Sequence, residues 1–370
     1  MTADATTTAP VEQTSAPQPV TPKKMHTFDL SWMDCGTEWG IRATPGKRGL
    51  TIDDINIGSY GEVPEHSDVR TMRPRGSRPY PGAPSLGYTV LDKADVWADN
   101  LGRLYEEAVQ RQWSSATDIP WHTLEPLPDD IERAMCQVCT TLTEIEFIAG
   151  DAPGQWLSRI SYDYHEAKLF LATQIFDEAR HLEVFRKRAL ANGGGLLQQG
   201  IGKALKRILE ARDYTEMSVI MHVLGEGFVQ TLFRFGEYIA QNEAEKTIFR
   251  LCMQDESRHI AYGVMHLKYL LTHQPERREE IHSYCDEGEA AVVAGLAGMP
   301  MAEAMAILLG GGKDNIELGW QRLQYIRKRQ VEEYLHRLAV AGMPERRERV
   351  HPRFADILGM EVSWPEDDAE

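Results

Sequence analysis

Cysteine is scarce in this chain: Cys35, Cys136, Cys139, Cys252 and Cys285 are all there are in 370 residues. So sparse and odd a set excludes the disulfide framework of a small secreted domain and suits a reducing compartment, so a cytoplasmic location is expected. Basic charge is also short. Forty Lys and Arg stand against 56 Asp and Glu, a formal charge of −16, which repels phosphate backbones over most of the surface and argues against a nucleic-acid partner. Long apolar runs are missing too. The most apolar stretch, Ala290 to Gly312, is interrupted by Pro300 and Glu303, so no membrane span is expected. The first 22 residues are rich in Thr, Ala, Pro and Gln and lack the basic start and apolar stretch of a signal peptide, so residues 1–24 are expected to be a disordered tail. No glycine-rich nucleotide motif is evident, so electrons for any redox chemistry must come from outside the chain.

What is present is helical periodicity. Residues 25–90 are dense in Gly and Pro and are expected to form an irregular N-terminal arm. From Leu91 the pattern turns helical, with Trp97, Leu101, Leu104 and Ala108 at three-to-four spacing. A connector studded with prolines follows, carrying Trp121. Four long helices are then predicted at roughly 130–149, 163–191, 214–242 and 244–273. Asn192-Gly-Gly-Gly closes the second, and Pro275 lies just beyond the fourth. The helical domain is expected to run from 91 to 342 with accessory C-terminal helices, leaving 343–370 as a C-terminal extension. No segment reads as a run of strands, so the fold class is all-α.

The chemistry lies in two strings. Asp177-Glu178-Ala-Arg180-His181 falls on the second helix and Asp255-Glu256-Ser-Arg258-His259 on the fourth. Glu and His three residues apart share one helical face and can serve one metal site. A di-metal carboxylate site needs a further Glu from each of two other helices. The third helix offers Glu226, set among Val219, Val223, Val229 and Phe233, where an unpaired carboxylate costs several kcal/mol and a bound cation removes the objection. The first helix offers two. Glu146 shares a face with Ile131, Met135, Cys139, Leu142 and Ala149, whereas Glu144 lies beside Arg133, Gln137 and Thr140, so Glu146 is favoured. Asp151 is the outside alternative, should a bend after Gly150 turn it inward. One unit is thus repeated, a carboxylate and then Glu-x-x-His about thirty residues on. Four carboxylates balance two divalent ions, and mixed carboxylate and imidazole ligands suit iron or manganese.

These paired motifs resemble those of the ferritin-like di-iron carboxylate superfamily: ribonucleotide reductase small subunits, bacterial multicomponent monooxygenase hydroxylases, acyl-carrier-protein desaturases and arylamine oxygenases. The resemblance spans about residues 91–273, and Leu-Gly-Glu226-Gly-Phe with Asp-Glu256-Ser-Arg-His is especially similar to the hydroxylase subunits. It implies a ferritin-like (ribonucleotide-reductase-like) four-helix bundle with Glu146, Glu178, His181, Glu226, Glu256 and His259 as metal ligands. Asp177 and Asp255 are then acceptors that each fix the imidazole of the opposite motif. It implies two iron ions, with Mn/Fe as the variant, that activate dioxygen to oxidise, most readily to hydroxylate, an organic small molecule. An external reductase or ferredoxin would supply electrons, and a homodimer is compatible. Two departures stand out. Reductase small subunits keep a radical-forming Tyr four residues after the first motif His, where this chain has Phe185. The hydroxylases carry a Thr four residues after the third-helix Glu, near the oxygen-binding face; here stands Gln230 with Thr231 beside it, the two candidate catalytic residues. The alternatives are a radical generator or ligand-binding oxidase like the reductase small subunit, and a non-catalytic iron-binding or ferroxidase protein.

Other residues invite plainer readings. His222, four residues before Glu226, reads as a buried group beside the site rather than a ligand. Cys136-Gln-Val-Cys139 has redox spacing but lies mid-helix and reads as packing. Trp113 and Trp121 read as packing at the bundle end, with an electron path as the alternative. Phe170, Phe176 and Phe185 read as core filler, Arg180 and Arg258 as partners of acids on neighbouring helices, and Glu366-Asp-Asp-Ala-Glu as a possible docking tail.

Overall fold

A computed structural model describes residues 27–34, 39–200, 202–296 and 299–364. The expectations for residues 1–24 and for the acidic end from Glu366 lie outside the described residues. The chain divides into two units, residues 1–36 and 37–370. The described part of the first holds one 3₁₀ turn, Ser31–Met33, with no buried residue. All that follows concerns the second unit, where the described residues form helices and isolated bridges but no strand.

The principal helices are α1 (Leu101–Gln110), α2 (Asp129–Leu157), α3 (His165–Ala191), α4 (Lys203–Leu209), α5 (three consecutive segments, Tyr214–Ser218, Val219–Gly225 and Glu226–Arg234), α6 (Glu243–His273), α7 (Arg278–Leu296), α8 (Met299–Gly310), α9 (Ile316–Val340) and α10 (Pro352–Leu358). Helices α2, α3, α5 and α6 form the bundle that carries the paired motifs, and α8 and α9 pack against it. From residue 39 to about 100 the chain is irregular yet fastened down. Asn56 donates to Glu166 at 2.9 Å, Arg75 forms a buried ion pair with the same carboxylate, and Ser67 donates to Asp163 at 2.7 Å. Val90, Val96 and Ala98 are buried with Leu101 and Leu104 of α1 against Phe170 and Leu171 of α3.

Two helices depart from their expected limits. The expected end of α2 at Ala149 is corrected by two further turns to Leu157, through Gly150 and Pro153. An internal proline costs roughly 3 kcal/mol, but the extension buries Ala152 and Trp156 in the core, and area removed from water offsets that cost. Asp151 consequently stays on the exposed face. The expected single helix over 214–242 is also revised. α5 widens into a π-helical turn over Val219–Gly225, resumes at Glu226 and breaks at Phe235. By contrast α6 begins where a cap sits: Asn242 accepts from the Glu245 amide at 3.0 Å.

The π turn is pressed against α6 at one point. A Cβ on Gly263 would lie 2.3 Å from Cβ of His222, so only glycine admits this helix–helix approach. Gly263→Ala is therefore expected to force α5 and α6 apart and lower unfolding stability by about 1–3 kcal/mol. Chemical denaturation of the full chain measures this, and an unchanged midpoint would refute the close approach.

Candidate metal centre

Buried carboxyl groups from four helices meet in the bundle. Glu146 comes from α2, Glu178 and His181 from α3, Glu226 from α5, and Glu256 and His259 from α6; none is more than 5 % exposed. They form two overlapping groups, Glu146, Glu178, His181 and Glu256, and Glu178, Glu226, Glu256 and His259. Within each group one ligand atom per residue lies within 4.8 Å of the others. Nδ1 of His181 is 3.1 Å from Glu178 and 3.4 Å from Glu256, with Glu146 at 3.9 Å. Nδ1 of His259 is 3.1 Å from Glu178, 3.5 Å from Glu256 and 3.8 Å from Glu226. Glu178 and Glu256 thus stand between the two imidazoles and belong to both groups.

The cluster is incomplete by itself. Glu146 Oε1, Glu178 Oε1, Glu226 Oε2, Glu256 Oε2 and His259 Nδ1 are buried without a hydrogen-bond partner. Even the 3.1 Å approach of His259 to Glu178 is not aligned as a hydrogen bond. Lone pairs from several side chains face a common space, and each orphan costs about 1–3 kcal/mol or more. Burial, then repulsion from Glu178, pushes the Glu146 carboxyl well above the usual range, and burial does the same to Glu226, against the pull of His259. Burial also acts on Glu178, but the His181 and His259 imidazoles beside it hold it far below the ordinary carboxylate value. Protons on Glu146 and Glu226 meet part of this charge. Two divalent cations would meet all of it and engage the orphaned oxygens. The donor set fits hard or borderline ions. Cys252 lies beside His181, but burial pushes its thiol up to about 11, so it stays protonated and is a poor ligand.

Behind the imidazoles lies a lattice of opposite charges. Nε2 of His181 is 3.3 Å from Asp255, and Nε2 of His259 is 3.2 Å from Asp177. A carboxylate only accepts, so each Nε2 donates to its aspartate, and with cations bound each Nδ1 would be free to turn its lone pair to the cluster. Arg258 bridges the two aspartates at 2.8 and 2.6 Å; Arg180 also contacts both, reaching Asp255 at 2.9 Å. The Trp113 indole donates to Asp255 at 2.7 Å and lies under the Arg180 guanidinium, 4.7 Å from its ring centre. Trp121 is elsewhere, its indole donating to the Ser115 carbonyl at 2.7 Å.

The remaining sequence candidates separate cleanly. Glu144 points away from the cluster and accepts from the Gly200 amide at 2.6 Å, where Thr140 and Gln137 also hold the 192–200 segment through Leu197 and Gln198. Gln230 and Thr231 do not reach the carboxylates. The Gln230 amide donates to Ser257 at 2.9 Å, while the Thr231 hydroxyl lies 2.7 Å from Glu333 of α9. The helix turns both of these candidate catalytic side chains towards the neighbours named. His222 is also outside the cluster. Its Nε2 donates to Gln174 at 3.2 Å and its Nδ1 accepts from Ser218 at 2.8 Å. Gln174 was not anticipated. Its amide donates to Glu226 at 2.8 Å, joining His222 to the cluster; its position one turn before Glu178 on α3 is the signal that could have found it. Phe185 packs against Phe233 and Phe249, at 5.5 and 6.1 Å between ring centres. Phe176 is exposed, and both Cys136 and Cys139 are free and buried.

Beside the cluster is a cavity of about 680 Å³ whose lining includes Glu146, Glu226 and Glu256. The rest of its wall is chiefly aliphatic, including Ile145, Ile220, Val229 and Leu232. Its size is in the range of small-molecule sites, roughly 300–1,000 Å³. Neither Gln230 nor Thr231 is among its lining residues.

No family model matches this chain, and no curated protein matches it. Solved structures of R2-like ligand-binding oxidases do. A variant with an anaerobically reconstituted Mn/Fe cofactor matches with a TM-score of 0.50 at 18% identity. Another with an aerobically reconstituted Fe/Fe cofactor gives 0.50 at 18%, and a third with aerobically reconstituted Mn/Fe gives 0.51 at 19%. Each match covers 66% of this chain and 94% of the other. The expected all-α, ferritin-like fold of the ribonucleotide-reductase type is the observed one.

The charge lattice yields a stability test. Asp255→Ala would leave the Trp113 indole and Nε2 of His181 without a buried acceptor and take from Arg180 one of its two aspartates. A loss of about 3–5 kcal/mol is expected in equilibrium unfolding, and a loss below about 1 kcal/mol would show that the lattice is dispensable.

Proposed function

We propose that the chain is a di-metal oxidoreductase that activates dioxygen to oxidise an organic molecule held in the cavity beside the cluster. Glu146, Glu178, His181, Glu226, Glu256 and His259 would hold the ions, Glu178 and Glu256 belonging to both ligand groups. One observation carries the reading: three carboxylates of a buried, cation-deficient cluster form part of the wall of an apolar cavity. Iron, or manganese with iron, supplies the capacity to reduce dioxygen and generate an oxidant. The Fe/Fe and Mn/Fe cofactors of the R2-like ligand-binding oxidases support that choice.

The chain's own groups prepare this chemistry. Asp177 and Asp255 fix the imidazoles, and Gln174 steadies Glu226. Aliphatic side chains exclude water and take a substrate with C–H bonds close to the cluster, which favours hydroxylation. Electrons from an external reductase or ferredoxin have a contiguous hydrogen-bonded route through Trp113 and Asp255 to His181. A radical generator of the reductase kind is less favoured, because Phe185 offers no phenol and is enclosed by Phe233 and Phe249.

Anaerobic Fe(II) reconstitution of the full chain, followed by elemental analysis and an oxygen electrode, tests the proposal. About two ions per chain are expected, with dioxygen consumed on admission of air. Glu226→Ala and Glu178→Ala should each lose at least one ion. No uptake of metal sinks the ligand assignment; two bound ions that consume no dioxygen sink the oxidase. Iron uptake far above two per chain would point instead to storage.

A further inference from the structure

Outside the cluster the cavity wall carries three charged side chains, Glu144, Lys203 and Arg327, of which Lys203 is exposed to solvent. Arg327 of α9 lines the cavity, half-buried, among Val229, Leu232 and Ile326. Among the described residues its guanidinium forms no ion pair or hydrogen bond; its one recorded contact is with the Trp320 ring, 5.1 Å from the ring centre. The acids nearest in sequence are engaged elsewhere. Glu332 pairs with Arg329 at 2.8 Å, and Glu333 with Arg234 at 2.5 Å. Glu144, the other acid on the wall outside the cluster, is held by Gly200. The Gln330 amide is spent on the Phe228 carbonyl at 2.9 Å. Burial lowers the proton affinity of Arg327, and the one charge that bears on it is a second cation, Arg353. A guanidinium remains charged even so. An unpaired cation in an apolar wall is costly unless an anion completes it.

We propose that Arg327 recognises an anionic group on the occupant of this cavity, which is an organic acid. Its carboxylate pairs with the guanidinium, and its apolar body lies along the aliphatic wall shared with Glu146, Glu226 and Glu256. Arg327 is then the residue that selects substrate. Its planar fork suits a carboxylate in two parallel hydrogen bonds. The acid is anchored by protein rather than by metal, which leaves the cluster free for dioxygen. The inference deepens the substrate-site reading of the cavity and rests on it.

The test is calorimetric and needs no turnover. 6-Phenylhexanoate and 6-phenylhexan-1-ol, alike in apolar body and unlike in charge, are titrated into the metal-free full chain and into the Fe(II)-loaded chain under argon. The acid is expected to bind at least about tenfold more tightly than the alcohol to the metal-free protein. Arg327→Gln should abolish that preference and leave alcohol binding unchanged, and Arg327→Lys should retain part of it. Equal affinities in the wild type, a preference that survives Arg327→Gln, or an acid that binds only after iron is loaded would each overturn the proposal. The last outcome would place the carboxylate on the cluster. Should Arg327→Gln fail to fold, the wild-type comparison and Arg327→Lys still decide. Because the preference is read without metal, failure of iron loading leaves this result standing, and its loss leaves the iron reading untouched.

Discussion

Four glutamates and two histidines occupy the dry centre of a helical bundle, and the repulsion among the carboxyl groups constrains everything around them. Isolated ionised carboxylates are not tolerated in such surroundings. The centre therefore requires positive charge, from shared protons or from cations. Arg180 and Arg258 do not provide it there; both are committed to Asp177 and Asp255 one layer out. That division keeps the inner layer short of cations and the outer layer balanced. It also orients each imidazole, since the outer aspartates claim Nε2 and leave Nδ1 facing the cluster.

Holding that centre sets demands on the backbone. Side chains from α2, α3 and α6, and again from α3, α5 and α6, must converge to within 4.8 Å, which calls for close helix spacing. Gly263 against His222 is one price of that approach. The π-helical turn is another device. It ends at Glu226 and adds a residue to the local repeat, a feature common at functional sites. The long α2, extended through Pro153, packs its added turns into the core beneath the arm.

Much of this was legible in the sequence, and the limits of legibility are physical. The ends of α3 and α6, which carry the two Asp-Glu-x-Arg-His strings, were well placed because Asn192-Gly-Gly-Gly follows one and Pro275 lies just beyond the other. Helical phase separated Glu146 from Glu144, and the observed positions agree with it: one is buried in the cluster, the other holds a loop. Phase was less informative about neighbours. Glu226 and Thr231 lie on one regular helical segment, but nothing in the sequence shows that Glu333 of α9 stands beside Thr231. Gln174 escaped notice because a glutamine on a long helix carries no distinctive pattern; only its partners, Glu226 and His222, reveal it. The cavity was beyond reach, since its wall draws on helices far apart in the chain.

The repeat in the sequence suggests two equivalent halves, yet their surroundings differ. His181 stacks near the Trp113 indole, 6.4 Å between ring centres, and Cys252 lies against it. His259 meets the edge of Phe170 at 6.5 Å, and its neighbour Glu226 is tied to Gln174 and His222. One half is thus linked through Asp255 to the Trp113 indole, and the other is backed by an aromatic ring and a neutral amide. Polarity and hydrogen bonding around a ligand tune the ion it holds. Two cations bound here would occupy inequivalent positions even though their primary ligands are nearly matched. Such inequivalence is what allows a duplicated motif to hold unlike metals, or like metals with unlike tasks.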